Sequence, residues 1–181
     1  MGRRLCLSSL ILASSTQSPS ETIGVCGMEV ALMHRQTKDI IPRKKSESIL
    51  KDTFSKLSPK DRRPLNKAGA RELTAFLTSS FEDFDYDAVV LLSNLAVDPK
   101  TRGQGLGTEL CGEVLERSKE WGYEEVVLEV EESNEGARGL YDKVGFEQVG
   151  EAMDKGGVRV KEDGILEDRE VRTIRMSRKI N

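Results

Sequence analysis

The sequence predicts an α+β fold, in which helices are combined with a β-sheet. Three observations support this prediction: an apolar hairpin pattern over residues 5–32, a strand–loop–helix–strand unit over residues 88–130, and two alternating segments, Val158–Lys161 and Val171–Met176. A chain of 181 residues is long enough for one hydrophobic core. We therefore expect a single domain over residues 1–181.

Composition narrows the possible functions. Acidic and basic residues nearly balance, with a net charge of −3, so we expect no nucleic-acid partner. His34 is the only histidine, and Cys6, Cys26 and Cys111 lack the spacing of metal ligands, so we expect no metal site. Since no apolar run approaches the roughly 20 residues of a membrane helix, we expect no transmembrane segment. The sequence carries no signal for an oligomeric state.

Residues 5–32 have two interpretations. The stretches LCLSSLILAS and IGVCGMEVAL, joined by turn residues at 18–20, predict a β-hairpin. Arg3 and Arg4 before a short apolar run resemble instead a removed signal or organelle-targeting segment. We favour the hairpin because serines interrupt the apolar run.

The stretch over residues 36–87 is a long, polar connection interrupted by prolines. Apolar residues at helical spacing predict two short amphipathic helices within it. They are Leu50, Phe54 and Leu57 in the first helix, and Leu73, Phe76, Leu77 and Phe81 in the second. A basic cluster in this stretch is typical of a solvated loop, and binding to an acidic partner is the alternative. It consists of Arg43, Lys44, Lys45, Arg62 and Arg63.

From Ala88 onward the pattern is regular. The run AVVLLSNLAV predicts a strand buried on both faces, which Asp98-Pro99 ends. A helix that ends at Gly122 follows, then the strand EVVLEV, a helix over 134–145 and a short strand over 146–149. The first of these helices presents one apolar face, formed by Leu110, Cys111, Val114, Leu115 and Ser118.

Three glycines lie between the first of these strands and the helix after it. In an open sheet, a ligand binds at the carboxyl end of such a strand. A dinucleotide fingerprint fails here because Thr108 stands where its third glycine is required, and no Walker sequence is present. The loop does contain R-x-x-G-x-G, formed by Arg102, Gly105 and Gly107.

This motif resembles the acetyl-CoA-binding motif of the GNAT superfamily of N-acetyltransferases. The pattern N-x-x-A-x-x-L-Y-x-K-x-G-F over residues 134–146 strengthens the resemblance. The likeness is strong over residues 88–150, and the hairpin resembles the family's second and third strands. It implies a three-layer arrangement in which helices flank a mixed, mostly antiparallel sheet with a splayed acetyl-CoA cleft. Among relatives, the segment is most similar to ribosomal-protein-alanine acetyltransferases and plastid protein acetyltransferases.

The resemblance implies acetyl-CoA as cosubstrate. Backbone N–H groups at a helix N-terminus would hold its pyrophosphate, and side chains at the glycines, Gly107 included, would keep the phosphate oxygens away. The pantetheine arm would lie along the preceding strand. The residues assigned to the cofactor are Leu95, Ala96, Val97, Arg102, Gly103, Gln104, Gly105, Leu106, Gly107, Thr108 and Asn134. Simple helix capping is the alternative for Asn134.

The resemblance also implies two catalytic residues. Tyr141 matches the family's general acid, and Glu129 matches the general base of the alanine-type relatives. A core aromatic residue is the alternative for Tyr141, and a solvated glutamate is the alternative for Glu129.

We therefore expect acetyl transfer to a primary amine, at a protein N-terminus or a lysine, in the cytoplasm or a plastid. The alternatives are acetylation of a polyamine or amino-acid-like small molecule, and a catalytically silent acyl-CoA-binding protein. Compared with the family, the chain begins at the second strand, so we expect the first strand and two helices to be absent, in the protein or through an incomplete gene model. The 36–87 connection is a candidate replacement wall for the acceptor site.

Overall fold

A mixed sheet forms the centre of the protein. The computed structural model describes residues 8–65, 68–81, 85–160 and 164–180. The strands are β1 (Ser8–Ser14), β2 (Thr22–His34), β3 (Tyr86–Val97), β4 (Glu125–Glu131), β5 (Glu147–Val160) and β6 (Leu166–Lys179). Their order is β1-β2-β3-β4-β6-β5, and all neighbours are antiparallel except β3 and β4. With its flanking helices, this sheet confirms the predicted fold class.

The first two strands form the predicted hairpin. Ser8–Ser14 pairs with Thr22–Glu29 in antiparallel register. Ile11 and Ala13 pack against the core, as alternation along a half-buried strand requires. Residues 5–7 of the predicted strand lie outside the described residues.

The connection over residues 36–87 folds into three helices within its described part: α1 (Arg43–Lys56), α2 (Pro59–Leu65) and α3 (Ala70–Ser80). The two helices predicted from sequence correspond to α1 and α3, whereas α2, which spans only seven residues, was missed. A segment so short and so rich in charge shows no apolar period. Leu50 in α1, and Leu77 and Phe81 in and after α3, are buried as their spacing predicted.

One face of the sheet is covered by α4 (Leu106–Trp121) and α5 (Glu135–Val144) and is called the α4 face here. The apolar face predicted for α4 is confirmed, since its buried residues are Leu110, Cys111, Val114, Leu115 and Ser118. Gly122 and Gly145 end the two helices with φ values of 84° and 90°, a conformation that favours glycine. No helix of the described residues is long and apolar enough to cross a membrane.

The other side of the sheet is called the opposite face. A smaller apolar cluster lies there, formed by Ala31, Met33, Val89 and Val127. On β4, Val126, Leu128 and Val130 belong to the α4-face core. Because side chains alternate along a strand, Glu129 shares the opposite face with Val127, as the sequence predicted.

Strands β3 and β4 pair over three residues and then separate. Val90–Leu92 pairs with Val126–Leu128, whereas β3 continues to Val97 and β4 to Glu131. The sequence predicted β3 to be buried on both faces, and this is correct only for its first half. Beyond Leu92 the strand borders an open cleft, and Asn94 is exposed. The separation confirms the predicted splayed cleft.

Strands β5 and β6 form a long hairpin at the edge of the sheet. The sequence predicted separate strands at 146–149 and 158–161, but Glu147–Val160 is one strand. Its pairing with β6 shifts register between Val149 and Met153, and this irregularity interrupts the alternation from which strands are predicted. Lys161 lies outside the described residues.

Candidate functional site

The loop between β3 and α4 forms an open cradle. Asp98 ends the strand, and its carboxylate accepts a hydrogen bond from Lys100 N at 2.7 Å. Gly103 and Gly105 have φ values of 78° and 91°, in the left-handed region that favours glycine. A Cβ built at either glycine meets no described heavy atom within 4 Å. Both positions therefore border open space that a side chain would fill.

Helix α4 begins at this cradle. The backbone N–H of Glu109 donates to the carbonyl of Gly105 at 3.1 Å. The N–H groups of Leu106, Gly107 and Thr108 come before it and have no acceptor within the helix, and the positive end of the helix dipole lies here. Convergent N–H donors beside open space fit a pyrophosphate. The residues present therefore fit the implied cosubstrate.

The third glycine has a different role from the one predicted. A Cβ at Gly107 would lie 2.9 Å from Cδ2 of Leu140, so it would point into the contact between α4 and α5. The expectation that a side chain here would displace phosphate oxygens was therefore wrong. Gly107 allows the two helices to approach closely, and its contribution to the cradle is its backbone N–H.

The end of β3 offers an unused strand edge. Ala96 and Val97 pair with Val25 and Gly24 of β2 on one side. On the other side, the segment Leu95–Val97 lies beyond the last pair with β4, so within the described chain this edge has no strand partner. Its backbone donors and acceptors are available to an extended ligand that adds like a strand.

The polar side chains of the loop brace it internally. Arg102 Nε donates to the carbonyl of Val97 at 3.1 Å, and Gln104 Nε2 donates to the carbonyl of Lys100 at 3.4 Å. The first bond holds the loop against the end of β3, and the second lies within the loop. That either side chain contacts the cofactor stays a prediction.

Asn134 caps helix α5. Its Oδ1 accepts a hydrogen bond from Ala137 N at 3.1 Å, which is the capping role that the sequence left open. Its contact with the cofactor also stays a prediction.

Tyr141 lies on α5, on the α4 face of the sheet. Its side chain packs edge-on against Phe146, with ring centroids 5.9 Å apart. Burial, together with the nearby Cys111 and Cys26 thiols, raises the pKa of Tyr141 to about 12. The ring packs as a core aromatic, and the phenol keeps its proton at neutral pH, as a general acid requires.

Glu129 lies on the opposite face, one residue beyond Leu128, the last residue of β4 that pairs with β3. Its side chain is 23% exposed, so it is not a solvated glutamate. Two cations contact its carboxylate: Lys155 Nζ lies 2.5 Å from Oε2, and Arg175 Nη2 lies 3.2 Å from Oε1.

Sequence reasoning missed Arg175 and its partner Asp39. The Arg175 side chain is 2% exposed, and its Nη1 lies 3.3 Å from Asp39 Oδ1. Hydrogen bonding to Thr37, assisted by the Arg175 charge, lowers the pKa of Asp39. One sequence signal was available, since an arginine stands between Ile174 and Met176 in an alternating strand. Because a buried charge requires a partner, this arginine predicts an acidic residue nearby.

A cavity of about 250 Å³ lies beside Glu129 on the opposite face. Glu29, Leu91 and Lys155 line it, and the N-terminal part of α1 supplies Arg43 and Glu47. Arg43 lies 3.6 Å from Glu29 and 3.1 Å from Glu47, which ties α1 to the sheet. The 36–87 connection therefore forms one wall of this cavity.

The chain belongs to the acetyltransferase (GNAT) family. Residues 44–146, more than half of the 181 residues, match that family. The match includes β3, the glycine cradle, Glu129 and Tyr141.

Curated relatives match shorter segments. The ribosomal protein bS18-alanine N-acetyltransferase of Haemophilus influenzae is 45% identical over 58 residues, 32% of this chain and 39% of the relative. N-alpha-acetyltransferase 30 of Schizosaccharomyces pombe is 40% identical over 55 residues, 30% of this chain and 37% of the relative. N-acetyltransferase 8B of Homo sapiens is 39% identical over 62 residues, 34% of this chain and 27% of the relative. The matched segments thus span about two fifths or less of these relatives.

Solved structures share the fold. A GNAT-superfamily phosphinothricin acetyltransferase of Sinorhizobium meliloti, in complex with acetyl-CoA, aligns with a TM-score of 0.52 at 16% identity, covering 95% of this chain and 60% of that one. An N-acetyltransferase of Staphylococcus aureus aligns with a TM-score of 0.53 at 11% identity, covering 96% of this chain and 68% of that one. At these identities the likeness concerns the fold.

Proposed function

We propose that the protein transfers the acetyl group of acetyl-CoA to a primary amine, specifically the α-amine of a protein or peptide. The observation that carries this proposal is the separation of β3 and β4 beyond Leu92 and Leu128. The glycine cradle follows the end of β3, while Glu129 and Tyr141 lie on the two faces of the sheet. Family membership supports acetyl-CoA as the donor, and the names of the bS18-alanine and N-alpha relatives support a protein α-amine.

Backbone groups would hold the cosubstrate. The cradle from Gly103 to Thr108 would bind the pyrophosphate, and the free edge of Leu95–Val97 would bind the pantetheine arm. When bound, acetyl-CoA supplies a thioester, which is an activated acyl donor.

Glu129 would act as the general base. An α-amine has a pKa of about 8, so most of it is ammonium at neutral pH and must lose a proton before it attacks. The Glu129 carboxylate is half-buried at the separation of the strands, where it can accept that proton.

Tyr141 would act as the general acid. Its hydroxyl holds a proton throughout the neutral range because burial raises its pKa to about 12. From the α4 face it would give this proton to the departing sulfur.

The cavity beside Glu129 favours a cationic acceptor. Three carboxylates (Glu29, Glu47, Glu129) and two cations (Arg43, Lys155) line it, so its formal charge is −1. A negative cavity attracts the ammonium form of an amine.

An acetylation assay with matched acceptors tests the function. The acceptors are a peptide with a free N-terminal alanine and an internal lysine, the same peptide with a blocked N-terminus, and spermidine. We expect mass spectrometry to locate acetylation on the α-amine of the first peptide only. Acetylation of the lysine alone would show that the acceptor is a lysine side chain instead of the α-amine. Acetylation of spermidine alone would show that the acceptor is a small amine. Calorimetric binding of acetyl-CoA without transfer would indicate a silent acyl-CoA-binding protein.

A further inference from the structure

We propose that Lys155 is an acceptor within the protein itself: its amine lies where an acceptor amine would lie, and the protein acetylates it. This inference rests on the proposed function, because it uses the same donor and the same base. It adds a modification site and an internal competitor for the acceptor.

The contact between Lys155 and Glu129 carries the inference. Lys155 Nζ lies 2.5 Å from Glu129 Oε2, within the hydrogen-bond reach that a general base requires of the amine it deprotonates. Both side chains line the cavity next to the separation of β3 and β4. The geometry expected of a bound acceptor amine is therefore already formed by a residue of the chain.

The other cation at Glu129 is not equivalent. Arg175 is 2% exposed and also contacts Asp39, whereas the Lys155 side chain is 38% exposed. A guanidinium does not lose its proton in proteins, but a lysine amine does, and only the neutral amine is a nucleophile. Of these two cations, Lys155 is thus the one able to accept an acetyl group.

Charge balance explains how an external acceptor would replace Lys155. Two carboxylates, Glu129 and Asp39, face two cations, Lys155 and Arg175. An incoming ammonium that displaces Lys155 leaves this balance unchanged. A partly exposed ion pair contributes little to stability, so Lys155 can move into solvent.

The reaction at Lys155 balances as it does for an external amine. The Lys155 ammonium loses one proton to Glu129, and its nitrogen then forms a bond to the thioester carbonyl carbon. The carbon–sulfur bond breaks, and the sulfur takes the proton of Tyr141. The nitrogen then loses its second proton to solvent, Glu129 releases the first, and Tyr141 takes one proton back. The products are neutral acetyl-lysine, free CoA and one proton released to solvent.

Site-specific mass spectrometry tests the proposal. The full-length protein is incubated with acetyl-CoA, and the acetylated fractions of Lys155, Lys143 and Lys119 are followed with time. The last two are exposed lysines on α5 and α4 and serve as internal controls. We expect Lys155 to react at least about 100-fold faster than they do, the lower range of general acid–base catalysis. Its rate constant should not change with protein concentration, because the reaction is intramolecular.

A second reagent separates position from intrinsic reactivity. Acetic anhydride acetylates accessible neutral amines without using the acetyl-CoA site. Because the Lys155 side chain is only 38% exposed and is held by its ion pair with Glu129, whereas Lys143 is exposed, we expect Lys155 to react with this reagent no faster than Lys143 does. The Glu129→Gln variant should lose the preference for Lys155 with acetyl-CoA, and the Lys143→Arg variant should keep it.

The outcomes distinguish this proposal from the function on which it rests. If the alanine peptide is acetylated but Lys155 is acetylated no faster than Lys143, the inference about Lys155 is overturned and the proposed function is not. The inference would also be overturned if the rate constant of Lys155 acetylation rises with protein concentration. The same holds if acetic anhydride and acetyl-CoA show an equal preference for Lys155 over the control lysines. Failure of transfer to the peptides, spermidine and Lys155 alike would overturn the proposed function itself.

Discussion

Two regions beside the separated strands present groups that suit charged ligands, and they do so by different means. At the end of β3, the segment from Gly103 to Thr108 offers backbone N–H groups at a helix N-terminus. On the opposite face, Asp39, Glu129, Lys155 and Arg175 meet as side chains from separate segments of the chain. The first arrangement requires a local conformation, and the second requires the complete tertiary fold.

In the proposed function, this difference separates binding of the cosubstrate from selection of the acceptor. Backbone donors recognise a phosphate whatever else the ligand carries, which suits a cosubstrate common to a family. Side-chain charges can be rearranged by single substitutions, which suits an acceptor that varies between relatives. The following predictions test that division, in order of decreasing effect.

Substitution of Gly105 by valine should have the largest effect. Valine strongly disfavours a φ of 91°, and its side chain would fill the cradle. Loss of two charge-assisted hydrogen bonds, at about 1.5 kcal/mol each, would lower acetyl-CoA affinity about 100-fold in calorimetric titration.

Gly107→Ala is the matched control for the cradle. Its Cβ would lie 2.9 Å from Leu140, so the substitution should lower the melting temperature of the protein. Its effect on acetyl-CoA affinity should be smaller than that of Gly105→Val. A folded Gly105→Val protein with wild-type affinity would show that the backbone cradle does not bind the cosubstrate.

Tyr141→Phe should lower kcat about 100-fold with little change in affinity, because the ring packing stays and only the proton donor is lost. An ordinary tyrosine ionises near pH 10, so from sequence alone the loss in kcat is expected to disappear near that pH. Since burial raises the pKa of Tyr141 to about 12, the defect should persist in rate measurements at pH 10. If kcat is near wild type at both pH 7 and pH 10, the residue serves packing alone.

Glu129→Gln should have a smaller and pH-dependent effect. An amine with a pKa of about 8 is about one tenth neutral at pH 7, so loss of the base costs about 10-fold in kcat/KM there. The defect should vanish above pH ~9, where the amine is already neutral. Glu132→Gln is the control and should keep the wild-type profile, since Glu132 directly follows β4 and pairs instead with Arg172 at 3.0 Å. A defect that stays constant with pH would contradict a role as base.

Asp39→Asn should have the smallest effect. The carboxylate is 46% exposed, and Arg175 keeps its contact with Glu129, so the loss of unfolding free energy at pH 7 should stay below about 1 kcal/mol. Because the folded state lowers the pKa of Asp39, its contribution is complete above the unfolded value of 3.8 and disappears as pH falls through the lower folded value. Denaturant unfolding at pH 7 and pH 3 should show the difference shrinking on acidification, and a difference that grows would contradict this sign.

The part of the site built from local features was predictable from sequence. The helical spacing of Leu110 to Ser118 and the glycines after α4 and α5 depend on short-range periodicity and backbone conformation, and the structure matches them. The positive φ values at Gly103 and Gly105 follow from the same kind of signal.

The acceptor side was not predictable in the same way. Arg175 contacts Asp39 across 136 positions of sequence, and Lys155 reaches Glu129 across 26. These contacts depend on strand order and on the irregular register near Gly150, which leave no period in the sequence. Gly107 shows the same limit, since its neighbour Leu140 lies on another helix.

Hydrogen–deuterium exchange with and without acetyl-CoA tests where the cosubstrate binds. We expect acetyl-CoA to slow exchange in two segments, Leu95–Val97 and Gly103–Thr108, while exchange in the hairpin of β1 and β2 stays unchanged outside its contact with β3. Protection confined to other parts of the chain, with these two segments unaffected, would contradict a cosubstrate site between the separated strands.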